Sequence, residues 1–305
     1  MPIGYGLLTM DSQSKTLIIV AGPTAVGKTA GAISLAQRLE TEIISADSRQ
    51  FYKEMNIGVA RPSPDELAAV KHHFIASHHI TEGFSVGDFE QQGLTLLDEL
   101  FKKHDYVLLA GGSGLYIKAL CEGIDEMPAI EPGIREKLKA DYELHGITYL
   151  QEKLKEVDPV YHSQVDLNNQ QRLVRALEMF ESTGMPFSAF RKSTVAERPF
   201  NIIKFGLTLP REQLYERINL RVDIMMNEGL LEEARALLPY RHLNALNTVG
   251  YSELFDYFDE KTDLPTAVEL IKRNTRHFAK RQMTWFRKDA QMQWIAPSEL
   301  ENVGL

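Results

Sequence analysis

With 305 residues, 44% of them hydrophobic and 25% charged, the chain has room for one large domain or two smaller ones and ample material for a core. No apolar stretch approaches the length of a membrane span, and the single cysteine, Cys121, excludes an intramolecular disulfide framework and fits a reducing cytoplasm. The net charge of −8 and pI near 5.7 exclude a globally basic nucleic-acid binder; any such partner requires locally concentrated basic residues.

The first segment, Met1 to Lys15, lacks the basic n-region and apolar h-region of a secretion signal; it reads as a loose leader, with Met10 as an alternative start. The apolar run Leu17-Ile-Ile-Val20 follows and reads as a buried strand. It leads directly into Gly22-Pro-Thr-Ala-Val-Gly-Lys-Thr29 and then a helix from Thr29 to Arg38. Gly-x-x-x-x-Gly-Lys-Thr between strand and helix is the pattern of a polyphosphate cradle. Glycines let the backbone wrap closely with its N–H groups inward, Lys28 supplies a point charge, Thr29 offers a hydroxyl to magnesium, and the helix N-terminus adds positive potential. Gly22, Pro23, Thr24, Ala25, Val26, Gly27, Lys28 and Thr29 are therefore expected to bind a di- or triphosphate. The plainer alternative is a glycine-rich strand–helix turn without a ligand.

Glu42-Ile-Ile-Ser45 reads as a second short strand ending in the polar Ala46-Asp-Ser-Arg-Gln50. Ligands of parallel sheets lie beyond the carboxyl ends of the strands, so Asp47 to Gln50 should face the same crevice as the phosphate loop. A helix follows from Phe89 to Lys103, with Leu94, Leu97 and Leu100 on its apolar side. Another buried strand, Tyr106 to Ala110, runs into Gly111-Gly-Ser-Gly-Leu-Tyr116. Strand and helix alternate as in a parallel α/β sheet.

From Ile124 the texture changes to polar and helical. Glu131-Pro-Gly133 opens this region; Leu173, Leu177 and Phe180 recur at helical spacing, and Arg172 and Arg175 lie off that stripe. Phe200 to Leu209 reads as a returning core strand, Pro210 as the first residue of the next helix, and Arg211 to Lys288 as mostly helical. The expected fold class is α/β: a P-loop NTPase-like parallel-sheet core, residues 1–123 and 200–305, with an inserted helical domain, residues 124–199.

P-loop ATPases usually carry an aspartate at the end of an apolar strand, to hold magnesium and orient water. Here the strand to Ala110 ends in Gly111-Gly112-Ser113, which weakens hydrolysis and leaves group transfer. The best-placed acid is Asp47, which can take a proton from an incoming nucleophile, or merely cap the next segment.

Taken in order, eight segments resemble the tRNA dimethylallyltransferases. They are the phosphate loop, Ala46-Asp-Ser-Arg-Gln-Phe-Tyr52, Met55-Asn-Ile-Gly-Val-Ala-Arg-Pro62, Gly111-Gly-Ser-Gly-Leu-Tyr116, Gln171-Arg-Leu-Val-Arg-Ala-Leu-Glu178, Leu214-Tyr-Glu-Arg-Ile-Asn-Leu-Arg-Val-Asp223, Val249-Gly-Tyr251 and Phe278-Ala-Lys-Arg-Gln-Met-Thr-Trp-Phe-Arg287. The chain departs from the usual pattern at Val26, where serine is common, at Ser113, where threonine is common, and at Asn247-Thr248. The resemblance implies that the cradle holds dimethylallyl diphosphate rather than a nucleotide, although its geometry leaves ATP open. It implies transfer of the prenyl group to the exocyclic amine of the adenosine 3′ to the anticodon, with release of diphosphate. Lys28, Thr24 and Arg221 would then serve the diphosphate together with Mg2+ on Thr29, Asp47 would be the base, and Ser113 would hold substrate beside it. Arg217 shares the face of Arg221; their alternative is a solvated helix face paired with Glu216 or Asp223.

The resemblance also carries over Asp47, Ser48, Arg49, Gln50, Ser113, Arg135, Gln171, Arg172, Leu173, Val174 and Arg175 as contacts to a tRNA anticodon stem-loop; a monomer is expected, in the cytoplasm that the single cysteine fits. The helical insertion could shield the allylic diphosphate from water. The run Lys272, Arg273, Arg276, Lys280, Arg281, Arg287 and Lys288 carries no acid and reads either as a phosphate-tracking surface or as a solvated helix face with Trp285 and Phe286 in the core. His72, His73, His78 and His79 match no standard zinc spacing, and Cys121 reads as a small buried residue. Prenylation of free adenine nucleotides, a small-molecule kinase and a nucleotide-gated RNA-binding protein remain as alternatives.

Overall fold

The computed structural model describes residues 15–192 and 195–305, so the expected leader lies outside the described residues except for Lys15. Six strands, β1 (Thr16–Ala21), β2 (Ile43–Ser45), β3 (His72–His73), β4 (Tyr106–Gly111), β5 (Asn201–Leu207) and β6 (Gln293–Ile295), form one sheet in the order β3-β2-β4-β1-β5-β6. All pairings are parallel. β1 is buried along its whole length because both faces of a parallel sheet are covered. Leu17, Ile19 and Ala21 point into one core with Phe51, Phe89 and Leu97; Ile18 and Val20 point into the other with Leu35, Leu108 and Ile218.

The covering helices are α1 (Lys28–Arg38), α2 (Pro64–Ala69), α3 (Val86–Leu100) and α4 (Gly114–Glu122). α3 begins three residues before the expected Phe89 because Ser85 and Asp88 cap it reciprocally, each accepting the other's backbone N–H. After β5 come α9 (Arg211–Asn227), α10 (Leu230–Leu237), α11 (Tyr251–Phe258) and α12 (Leu264–Phe286). Pro210 keeps an extended backbone (φ −51°, ψ 141°) and precedes the helix rather than opening it. His72 and His73 form the edge strand β3, and β6, beyond the stretch to Lys288 read as helical, closes the opposite edge. Neither carries a paired-isoleucine run like the one that marks β2.

The chain divides into two compact units, one holding the residues up to Glu122 and from Glu197 on, the other Gly123–Ala196. The second is all helix: α5 (Ile134–Val157), bent where Gly146 adopts φ 75°, α6 (Pro159–His162), α7 (Gln170–Thr183) and α8 (Phe187–Phe190). Its core is Leu138, Leu150 and Leu154 of α5 against Leu173, Val174 and Leu177 of α7. Among the described residues no helix is long and apolar enough to cross a membrane.

Candidate active site

Beyond the carboxyl ends of β1, β2 and β4 the first unit encloses a cavity of about 490 Å³, lined by Thr24, Lys28, Thr29, Asp47, Ser48, Arg49, Gln50, Ser113 and Arg221. The sheet topology alone brings these sequence-distant residues together. One wall is apolar: Val59, Val222, Met225, Leu230, Ile271 and Phe278 also line it.

Gly22-to-Thr29 makes the floor. Gly27 sits at φ 109° at the head of α1, which has no side-chain cap, so the first N–H groups of that helix lack a built-in side-chain acceptor. Ala25 holds φ 64°, a left-handed conformation that costs a residue with a Cβ about 1 kcal/mol and is stored here at a binding loop. Val26, the departure from serine, is fully buried beneath the loop in the same core as Val20 and Leu35, where a hydroxyl would have no partner in that apolar setting. Not every backbone N–H from Thr24 to Thr29 is open to phosphate: that of Thr24 donates to Gln282 Oε1 at 2.9 Å, and that of Val26 to the Pro23 carbonyl at 3.4 Å.

The Lys28 ammonium donates to the Pro23 carbonyl at 2.8 Å. Burial pulls its pKa down to about 8, with Asp47 acting against the shift and Arg221 with it. Arg221 is itself lowered by burial and by its neighbour Arg217. Arg217 lies against the phosphate loop, its guanidinium 3.6 Å from where a Cβ on Gly27 would stand. Asp223, the alternative partner of these arginines, pairs instead with Lys272 at 2.8 Å. Three cations thus converge where an anion would rest.

Asp47 is turned into place by its own segment and by Ser113. Asp47 Oδ1 accepts the Arg49 N–H at 3.0 Å. Ser113 Oγ accepts the Ser48 N–H at 3.0 Å and donates to Ser48 Oγ at 3.2 Å. The ends of β2 and β4 approach so closely that a Cβ on Gly111 would meet the Ala46 carbonyl oxygen at 2.2 Å, which is why glycine is required there. Ser113 therefore braces the Asp47–Ser48 turn. Gln50, expected as a tRNA contact, lines the cavity and holds its loop, its amide donating to the Val59 and Ala60 carbonyls at 3.2 and 2.9 Å.

Sequence reasoning missed the supports of that loop. Glu233 accepts the N–H groups of Asn56, Ile57 and Gly58 at 3.1, 2.8 and 2.9 Å, and the Tyr251 hydroxyl at 2.6 Å. Arg61 donates to the carbonyls of Tyr52, Lys53 and Met55. Both Arg61 and Tyr251 stand inside recognisable motifs, but nothing in the spacing points to Glu233.

In the second unit Gln171 and Arg172 are exposed on α7. Leu173 (0% exposed) and Val174 (5%) are not available to RNA: they form the core of the unit, a correction that follows from their place on the buried stripe of α7. Arg135 is held bidentately by the fully buried Glu178, and Arg175 lies 3.5 Å from the same carboxylate, so both arginines compensate a buried charge at the surface. The basic run of α12 also divides. Lys272 and Arg276 are tied to Asp223 and Asn219 of α9, whereas Arg273, Lys280, Arg281, Arg287 and Lys288 are exposed. Phe286 is core and Trp285 is 40% exposed. Burial raises the Cys121 thiol to about 12, which makes it inert at neutral pH.

Among the described residues no group of three His, Cys, Asp or Glu side chains converges as a metal cage. His73 instead contacts Glu42, and His79 contacts Glu54. The cavity donors, a threonine hydroxyl and a nearby carboxylate, fit a magnesium ion that keeps waters and binds mainly through substrate phosphate.

Residues 50–289 match the family model described as IPP transferase. The chain is 55% identical over 283 residues to a tRNA dimethylallyltransferase of Christiangramia forsetii, covering 93% of this chain and 94% of that protein. It is 48% identical over 294 residues to one of Cytophaga hutchinsonii, covering 96% and 97%. Among solved structures, the full-length tRNA isopentenylpyrophosphate transferase of Bacillus halodurans matches with a TM-score of 0.69 at 36% identity, covering 94% of this chain and 95% of that one.

Proposed function

The chain belongs to the IPP transferase family of tRNA dimethylallyltransferases, and from that premise we propose how its cavity performs the transfer. The protein is a prenyltransferase acting on tRNA; the kinase and free-nucleotide readings are not favoured by its relatives. The donor is dimethylallyl diphosphate and the acceptor is the exocyclic amine of the adenosine 3′ to the anticodon. The observation that carries this reading is the meeting of Lys28, Arg221 and Asp47 in one cavity with an apolar wall. Cations and an apolar surface suit an allylic diphosphate, and a carboxylate suits an amine that must lose a proton.

The amine nitrogen bonds to the allylic carbon while the carbon–oxygen bond to diphosphate breaks, its electron pair leaving with the diphosphate. Negative charge grows on that leaving group. Lys28, Arg221 and the N–H groups at the head of α1 are oriented toward it beforehand and lower the barrier. Asp47 takes the amine proton. A magnesium ion held by the Thr29 hydroxyl and by the diphosphate would add charge neutralisation. Outside the cavity, Gln171 and Arg172 contact the tRNA. The enzyme works as a monomer in the cytoplasm.

The test is incubation with unmodified tRNA, magnesium and dimethylallyl diphosphate, followed by nucleoside mass analysis. A prenylated adenosine beside the anticodon is expected. Prenylation of free adenine nucleotide alone would replace this reading, and turnover of ATP without any prenyl transfer would sink it.

A further inference from the structure

Gln282 lies on α12 with only 7% of its surface exposed, and its one amide joins two loops far from it in sequence. Gln282 Oε1 accepts the Thr24 N–H at 2.9 Å, and Nε2 donates to the Gly112 carbonyl at 3.0 Å. The first loop leads to Lys28, the second to Ser113. Ser113 in turn holds the Ser48 N–H, next to Asp47. Glutamine supplies both a donor and an acceptor on one planar amide at this reach: Glu lacks the donor, Leu lacks both, and Asn is a methylene short.

Gly112 is shaped around this amide. A Cβ there would stand 2.3 Å from Gln282 Nε2 and 3.5 Å from Cδ, and the next nearest atom is the Gly22 carbonyl oxygen at 3.6 Å, an ordinary contact. The backbone of Gly112 is not among the positive-φ positions, so alanine is conformationally allowed. Of the three nearest atoms, only the amide nitrogen of Gln282 stands closer than ordinary van der Waals contact.

We propose that Gln282 is a positioning residue: its amide sets the distance between the diphosphate cradle and the Ser113–Ser48–Asp47 turn, and so between leaving group and proton acceptor. The inference rests on the prenyl-transfer reading of the cavity. Gln282 need not touch either substrate. Its effect belongs in the rate of transfer rather than in the binding of either substrate, because misplacing reacting groups by about 1 Å costs up to about 100-fold in rate.

A substitution cycle tests it, with kcat, donor KM, tRNA Kd and melting temperature measured for the wild type, Gln282→Ala, Gly112→Ala and the double variant. Gln282→Ala should lower kcat about 10- to 100-fold with KM and Kd within about threefold of wild type. Gly112→Ala should do the same by expelling the amide, and the double variant should be no slower than either single one, since both remove one bridge. Single variants within about threefold of the wild-type kcat would overturn the proposal, as would losses that multiply in the double variant. A fall in kcat that comes with raised KM, raised Kd and a lowered melting temperature would mark Gln282 as merely structural and overturn it too. A wild type that transfers no prenyl group to tRNA would bring down the functional reading itself, and this inference with it.

Discussion

Lys28 is the group on which the charge of the cradle depends most, and its ammonium is held close to its point of neutralisation. Burial lowers its pKa to about 8, so between about pH 8 and its ordinary value of 10.5 the unfolded chain binds a proton that the folded chain has released. The contribution of this group to stability therefore rises with pH through that window, and below pH 8 the buried ammonium is a cost. Donor binding has the opposite sign. A bound diphosphate favours the charged form, so affinity is expected to be level below about pH 7.5 and to fall by up to about tenfold per unit above pH 8. Calorimetric Kd values for dimethylallyl diphosphate across that range check this, and a level curve to pH 9.5 would disconnect Lys28 from the donor. At Asp47 the informative change is to asparagine, which keeps an oxygen for the Arg49 N–H and loses the charge. Asp47→Asn should lower single-turnover transfer by about 10²- to 10⁴-fold with tRNA affinity retained; a rate within threefold of wild type would remove it as the base.

At the scale of elements, α7 has a buried face and an exposed face on one helix, and the two carry different expectations. Leu173→Ala opens a hole in the core that α7 shares with α5 and should destabilise the second unit by about 2–5 kcal/mol, visible as a lowered melting transition. Arg172→Ala, on the exposed face, should leave melting unchanged, weaken tRNA binding, and reduce the slope of log K against log salt by about 0.7–0.9. An unchanged slope would take Arg172 out of the RNA contact. Helical periodicity gave the buried stripe of α7 directly, which is why Leu173 and Leu177 were legible as core. It could not show that Arg135 and Arg175 flank the buried Glu178, because α5 and α7 meet only in the folded unit. The cap of α3 marks a similar boundary: Ser85 and Asp88 were readable signals, yet the apolar spacing alone placed the start at Phe89.

Across the whole molecule, an acidic chain of net charge −8 still gathers basic groups at the cradle, with Arg217 and Arg221, and on the exposed side of the segment from Arg273 to Lys288. The strand–loop–helix cradle, the alternation of strands and helices, and the change of texture near Ile124 were written in local composition. The division observed at Glu122 and Glu197 lies within three residues of the change in pattern on either side. What local composition lacked was an apolar run: β2 is as short as β6 but carries Ile43-Ile44, whereas β3 is a histidine pair and β6 reads Gln293-Trp294-Ile295, so the sheet was two strands wider than its readable signals.

The sequence by itself determined which cavity-lining residues sit in local motifs, Lys28, Thr29, Asp47 and Ser113 among them, because a strand–loop–helix turn and a strand-end turn are built from consecutive residues. Only the tertiary structure decided which groups support them. Gln282 reaches Thr24 across 258 positions, and Glu233 holds the Asn56–Gly58 backbone from a separate helix. Such partners share no spacing and no period. They are fixed by the parallel sheet and the helices packed on it, which convert sequence separation into hydrogen-bond distance, and no local pattern encodes that conversion.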